Sequence, residues 1–112
     1  MIPDYFEMDI ITSDYKEATN AHMPKECPLF FALRRCYPGY NFLVMSNFIS
    51  LINPKTGEEV KKWQLKGWTE EVRIYQIMRR EYTLYADIQA DIQRAKVGEE
   101  IPSKHVILKS PY

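Results

Sequence analysis

Glycine, cysteine and histidine are scarce in this chain, and their scarcity removes most of the motifs from which enzyme chemistry is read. The four glycines are scattered, whereas a loop that cradles phosphate needs several of them in one strand-to-helix turn. The G-E-E-V and G-E-E-I segments are therefore turns that lead into strands or connectors. Two cysteines and two histidines form no C-x-x-C pair, and His22 and His105 lie far apart, so neither a zinc site nor any other metal or cofactor is expected. No G-x-S-x-G, H-E-x-x-H or kinase-type element occurs. Excess charge of one sign is also missing: Lys+Arg 15 balances Asp+Glu 15. A protein that coats nucleic acid or an acidic membrane is thus not expected. No run approaches the roughly 20 apolar residues of a membrane span. The opening M-I-P-D-Y-F-E has neither a basic region nor a long apolar run, so no signal peptide is expected.

What is present is an ordinary globular composition, with hydrophobic residues at 46% and charged residues at 27%. The 112 residues suffice for a single α+β domain, 1–112, with a core that needs no metal or disulfide. Cys27 and Cys36 flank a predicted helix; nine steps of about 100° set them on opposite faces, roughly 13 Å apart, too far to bridge. Free thiols and a cytoplasmic location are the expectation.

The coarse order is β-α-α-β-β-β-α-β. Phe6, Met8 and Ile10 alternate with Glu7 and Asp9, the pattern of a half-buried strand. Thr12 or Ser13 caps a short helix over Asp14 to Asn20, with Asp14, Lys16 and Glu17 outward, and a connector with His22 and Pro24 follows. Pro28 suits a first helical position, where its missing N–H costs nothing. Leu29, Ala32 and Leu33 form the apolar stripe of a helix over 28–37, Arg34 and Arg35 lie in its last turn, and Pro38-Gly39 stops it. Strands are predicted near Asn41–Met45 and Phe48–Ile52 around a turn at Ser46-Asn47. Asn53 to Gly57 is a second turn. In a third strand, Glu59 to Leu65, Val60 and Trp63 are out of phase by one, which leaves room for a bulge.

From Thr69 to Gly98, Val72, Tyr75, Met78, Tyr82, Tyr85, Ile88, Ile92 and Ala95 recur at helical spacing. One helix of that length spans about 43 Å, against a radius of gyration of about 13 Å for a domain of this size. Either it breaks near Glu81–Thr83, or the 72–95 stripe packs on a second subunit; its heptad-like spacing and its tyrosines favour a homo-oligomer. A last strand over Ser103 to Leu108 puts Val106 and Leu108 on one face. The expected fold is therefore α+β: a small, mostly antiparallel sheet of four or five strands, packed with a short N-terminal helix, the Pro28-started helix and a long C-terminal helix.

Catalytic candidates are few. Cys27 at a helix N-terminus has the setting of an activated thiol, with His22 or His105 as base, although such a cysteine is more commonly a buried or capping residue. Asp87 and Asp91, one turn apart, suit a cation or an acid–base pair, and equally a solvated helix face. Non-enzymatic binding has more to draw on. Arg34 and Arg35 precede Tyr37 and Tyr40; Lys61, Lys62, Trp63, Lys66 and Trp68 interleave charge and ring; Arg73, Arg79 and Arg80 project from the long helix. Guanidinium forks take phosphate and aromatic faces stack on bases. Each of these residues also has a plain role as a solvated charge or a core ring.

The C-P-L-F-F-A-L-R-R run at Cys27–Arg35, with its Pro-Gly stop and following hairpin, resembles a pattern in small uncharacterised phage and prophage proteins. Those end in an amphipathic helix, a glycine, a proline and a strand, and D-I-Q-R-A-K-V-G at 91–98, Pro102 and Val106–Leu108 are similar to that ending. The resemblance covers about half of the chain and departs from it over Lys55 to Tyr85, which the shorter relatives largely lack. It implies a phage accessory protein, a class that includes inhibitors of bacterial defence, and it transfers no site residues. Two functions are expected from these readings: stoichiometric capture of a nucleotide-type signal by Arg34, Arg35, Tyr40, Trp63, Trp68, Arg79 and Arg80, or direct binding to a host protein through an aromatic and arginine-rich patch. A cysteine-dependent enzyme is the third alternative.

Overall fold

Alternation decides the first strand. In β1 (Tyr5–Ile10), Phe6, Met8 and Ile10 are buried, while Glu7 and Asp9 are exposed. The computed structural model describes residues 5–21, 23, 25–45, 48–64, 72–73 and 83–109. Within them the chain is α+β, with three helices, five antiparallel strands in two small sheets, and a further pair of two-residue strands. β1 pairs with β7 (Lys104–Lys109) in one sheet, in a register that sets Phe6 opposite Leu108 and Met8 opposite Val106. The other sheet has the order β2–β3–β4, from β2 (Asn41–Val44), β3 (Phe48–Ile52) and β4 (Glu59–Gln64). The turn expected at Ser46-Asn47 lies outside the described residues.

The predicted bulge is present. The β3–β4 register shifts between Leu51 and Ile52, which pair with Lys61 and Glu59. Val60 is thereby skipped and left exposed, and Trp63 returns to the buried face with Phe42, Val44, Ile49 and Leu51. The preceding turn closes through Asn53, whose Oδ1 accepts the Lys55 N–H at 2.8 Å. Gly57 supplies the left-handed residue there, at φ 75°.

Helix α2 (Pro28–Cys36) begins at its proline as expected and buries Leu29, Ala32 and Leu33. Helix α1 differs from expectation. It covers Thr12–Glu17 with Ile11 as its cap residue, and Asp14 is buried rather than outward. The Asp14 carboxylate accepts the Ile11 N–H at 2.9 Å, an otherwise orphaned donor at the helix start.

The C-terminal helix also differs. Val72–Arg73 (β5) is extended and pairs antiparallel with Thr83–Leu84 (β6), and helix α3 covers only Tyr85–Lys96. The helical period therefore does not run unbroken from Thr69: both Val72–Arg73 and Thr83–Leu84 are extended, and residues 74–82 lie outside the described ones. E-V-R-I-Y and Y-T-L-Y are dense in β-branched and aromatic residues, which suit a strand as well as a helix. Ile88, Ile92 and Ala95 are buried in the chain's own core, so this part of the stripe offers no face to a second subunit. Tyr75, Met78 and Tyr82 lie outside the described residues. No helix among the described residues is long and apolar enough to cross a membrane.

Phe6 joins the two sheets. Its ring meets Tyr37, Phe42 and Trp63 edge to face, at centroid distances of 4.6, 5.3 and 5.4 Å. Helix α3 ends in a Schellman motif: Glu99 N–H donates to Arg94 O at 3.0 Å, Gly98 N–H donates to Ala95 O at 3.1 Å, and Gly98 is left-handed at φ 96°. A Cβ at Gly98 would meet nothing within 4 Å, so Gly98→Ala is expected to destabilise through backbone strain alone. The expected loss is about 1 kcal/mol in urea unfolding, with an unchanged m-value.

Candidate functional site

Consecutive residues on a helix point about 100° apart, and α2 uses this to give its two arginines different surroundings. Leu29, Ala32 and Leu33 face the core. Arg35 turns toward α1, where its Nε and Nη2 donate to Asp14 Oδ1 and Oδ2 at 3.1 and 3.0 Å. Its Nη2 also donates to Asp9 O at 2.7 Å. The Asp14 hydrogen bond is the main cause of the upward pKa shift of Arg35. This guanidinium, though partly exposed, spends its Nε and Nη2 donors on Asp14 and Asp9 rather than on the groove.

Arg34 is exposed, one helical turn beyond Phe30 on the same flank. The Pro38-Gly39 turn, closed by Tyr40 N–H donating to Tyr37 O at 3.2 Å, brings β2 back beside this flank. Lys25, Phe30, Arg34, Pro38, Tyr40, Asn41 and Phe42 then line a groove of about 290 Å³. Phe42 is almost fully buried, while Phe30 and Tyr40 are half-buried and Lys25, Arg34 and Asn41 are exposed. Tyr40 rests against Phe6 at 5.6 Å and Phe42 at 6.4 Å, which holds its ring in place. Among the described residues no carboxylate lines the groove, and neither the Lys25 nor the Arg34 side chain makes a hydrogen bond or ion pair. The arrangement is a cationic rim over an aromatic floor, suited to an anion that carries a ring.

Of the expected site residues, the structure therefore brings Arg34 and Tyr40 together and separates Arg35 and Trp63 from them. Trp63 is fully buried, with the Phe6 ring against it and its Nε1 without a hydrogen-bond partner, so its faces cannot stack on a base. Trp68, Arg79 and Arg80 lie outside the described residues. Lys25, Phe30 and Phe42 join the groove in addition to the expected residues. The i, i+4 spacing to Arg34 is a usable sequence signal for Phe30, whereas Phe42 reaches the groove only through the chain reversal after α2 and Lys25 from the connector ahead of it.

Of the catalytic candidates, the structure describes Cys27, His105, Asp87 and Asp91. Cys27 is buried at the cap of α2 and Cys36 is half-buried, and the two are not joined in a disulfide. His105 engages Asp9 Oδ1 through Nδ1 at 2.8 Å and Glu7 Oε1 through Nε2 at 2.6 Å. Both of its nitrogens are thus held by carboxylates on the exposed face of the β1–β7 pair, and His22 lies outside the described residues. Asp91 accepts from Arg94 Nη1 at 3.0 Å, and no described group of three His, Cys, Asp or Glu could hold a metal ion.

No protein-family model, curated protein or solved structure matches this chain, so the groove is read from its own chemistry.

Two outcomes follow from this geometry. Arg35→Ala leaves the Asp14 carboxylate buried without its counter-charge and is expected to cost about 2–3 kcal/mol. Arg34→Ala, at an exposed position, is expected to stay within about 0.5 kcal/mol, and chemical denaturation of both variants checks the contrast. The hydrogen bonds to Asp9 and then Glu7 raise the His105 pKa above its ordinary value. A raised folded pKa adds stability that is complete below pH about 6.5, the unfolded value, and is lost as pH rises through the folded value. The melting temperature is expected to fall across that window, and His105→Gln is expected to remove this component of the slope.

Proposed function

We propose that this chain acts by binding, not catalysis, and captures a small nucleotide-type anion in the groove between α2 and the start of β2. The observation that carries the reading is the placement of two cations, Lys25 and Arg34, on one groove with the Phe30, Tyr40 and Phe42 rings. Phosphate would be held by the guanidinium fork and the ammonium, and a base would lie along the aromatic wall. Capture requires only affinity and protein in sufficient amount, which suits a small accessory protein of the phage anti-defence type that sequesters a nucleotide signal. The resemblance in the α2 run and the C-terminal ending supports that setting.

Titration calorimetry with a panel of nucleotides tests the proposal. Wild-type protein is expected to bind at least one of them at one ligand per groove, and chromatography is expected to recover the ligand unaltered. Arg34→Ala and Lys25→Ala should each weaken binding about tenfold, the scale of one charge-assisted contact, with an unchanged circular dichroism spectrum. Wild-type affinity in both variants, or turnover of the ligand, would overturn it.

A further inference from the structure

We infer that the ligand of this groove is a free nucleoside monophosphate, with its terminal phosphate on Lys25 and Arg34 and its base against Tyr40 and Phe30. The inference rests on the capture reading above and narrows it by charge, size and hydrogen-bonding capacity.

Charge comes first. Among the described residues, the groove is lined by two cations and no carboxylate. A phosphate monoester carries about −1.5 to −2 charges at neutral pH, which these two side chains balance. A triphosphate would bring further negative charge with no described lining cation to meet it, and a phosphodiester would leave one cation unmatched. Size agrees with this. A volume of about 290 Å³ lies at the lower limit of small-molecule sites, which run from about 300 Å³ upward. One base with its sugar and phosphate suits such a volume better than a dinucleotide does. A nucleic acid strand needs a continuing cationic track with several stacking platforms, and this chain has no net charge. The remaining polar lining residue is Asn41, exposed at the start of β2. Its side-chain amide is both donor and acceptor, the complement of a base edge.

The test is a competition series on the full chain, measured by calorimetry, with a 5′-monophosphate, its nucleoside, the 3′,5′-cyclic diester, the triphosphate, a dinucleotide and inorganic phosphate. The monophosphate is expected to bind about tenfold tighter than the nucleoside, the cyclic diester or inorganic phosphate. Its affinity should decline as pH is lowered through about 6, where the monoester takes up its second proton. The Lys25→Ala, Arg34→Ala double variant should bind monophosphate and nucleoside alike, and Asn41→Ala should narrow the differences among bases while keeping the preference for phosphate. Tighter binding of triphosphate, cyclic diester or dinucleotide would overturn this inference and leave the capture reading standing. Inorganic phosphate binding as tightly as the monophosphate would overturn it as well, because the aromatic wall would then contribute nothing. If no nucleotide bound at about 1 mM, both the inference and the capture reading would fall.

Discussion

One buried carboxylate and the guanidinium that answers it set the geometry of this protein. Asp14 is 1% exposed, and an unpaired charge at such a position would cost several kcal/mol. Arg35 meets both carboxylate oxygens, the Ile11 N–H supplies a third donor, and the same Arg35 Nη2 continues to Asp9 O. A single side chain thereby ties α1, α2 and β1 together. Because a helix is rigid about its axis, fixing Arg35 also fixes the flank that carries Phe30 and Arg34. The groove's cationic rim thus depends on a neighbouring arginine that never reaches it.

The end of α2 has a second task, closing the free edge of β1. The Tyr37 hydroxyl donates to Glu7 O at 2.9 Å and accepts the Glu7 N–H at 3.0 Å. With the Arg35 bond to Asp9 O, these contacts occupy backbone groups that a third strand would otherwise take, so the two-stranded pair does not present a bare edge there. The same Tyr37 ring packs on Phe6, which also contacts Phe42 and Trp63 of the other sheet. Edge closure and sheet-to-sheet packing therefore converge on the exit of α2. The candidate groove opens beside this joint, on side chains whose backbone is well anchored, and Tyr40 reaches it already braced by Phe6 and Phe42.

Much of the architecture was legible in the residues, wherever one local period or one special residue decided the outcome. Phe6, Met8 and Ile10 admit only a strand with one buried face. Pro28 and Pro38-Gly39 bracket a helix. The phase conflict between Val60 and Trp63 allowed for the bulge that the β3–β4 register shows. Legibility failed where a segment satisfied two periods. Val72–Arg73 and Thr83–Leu84 lie in such a segment, and their pairing with each other produces a short ladder in place of helical turns. Asp14 misled for a related reason: an acidic residue near a helix start is usually solvated, and only the approach of Arg35 from another helix makes its burial affordable.

The candidate site divides along the same line. By itself the sequence determined that Arg34 and Arg35 belong to one helical turn, that aromatic residues follow them after a chain reversal, and that charge is balanced overall, because these are properties of neighbouring residues and of composition. Tertiary structure alone decided which arginine pairs with Asp14 and which lines the groove, that Trp63 serves the core, and that Lys25, Phe30 and Phe42 share that groove with Arg34. The physical reason is that helical and strand periods fix the directions of side chains only relative to their own element. The rotation of each element about its axis is chosen by the contacts that satisfy buried charge and apolar area, here Asp14 and Phe6, and those contacts join residues distant in the chain.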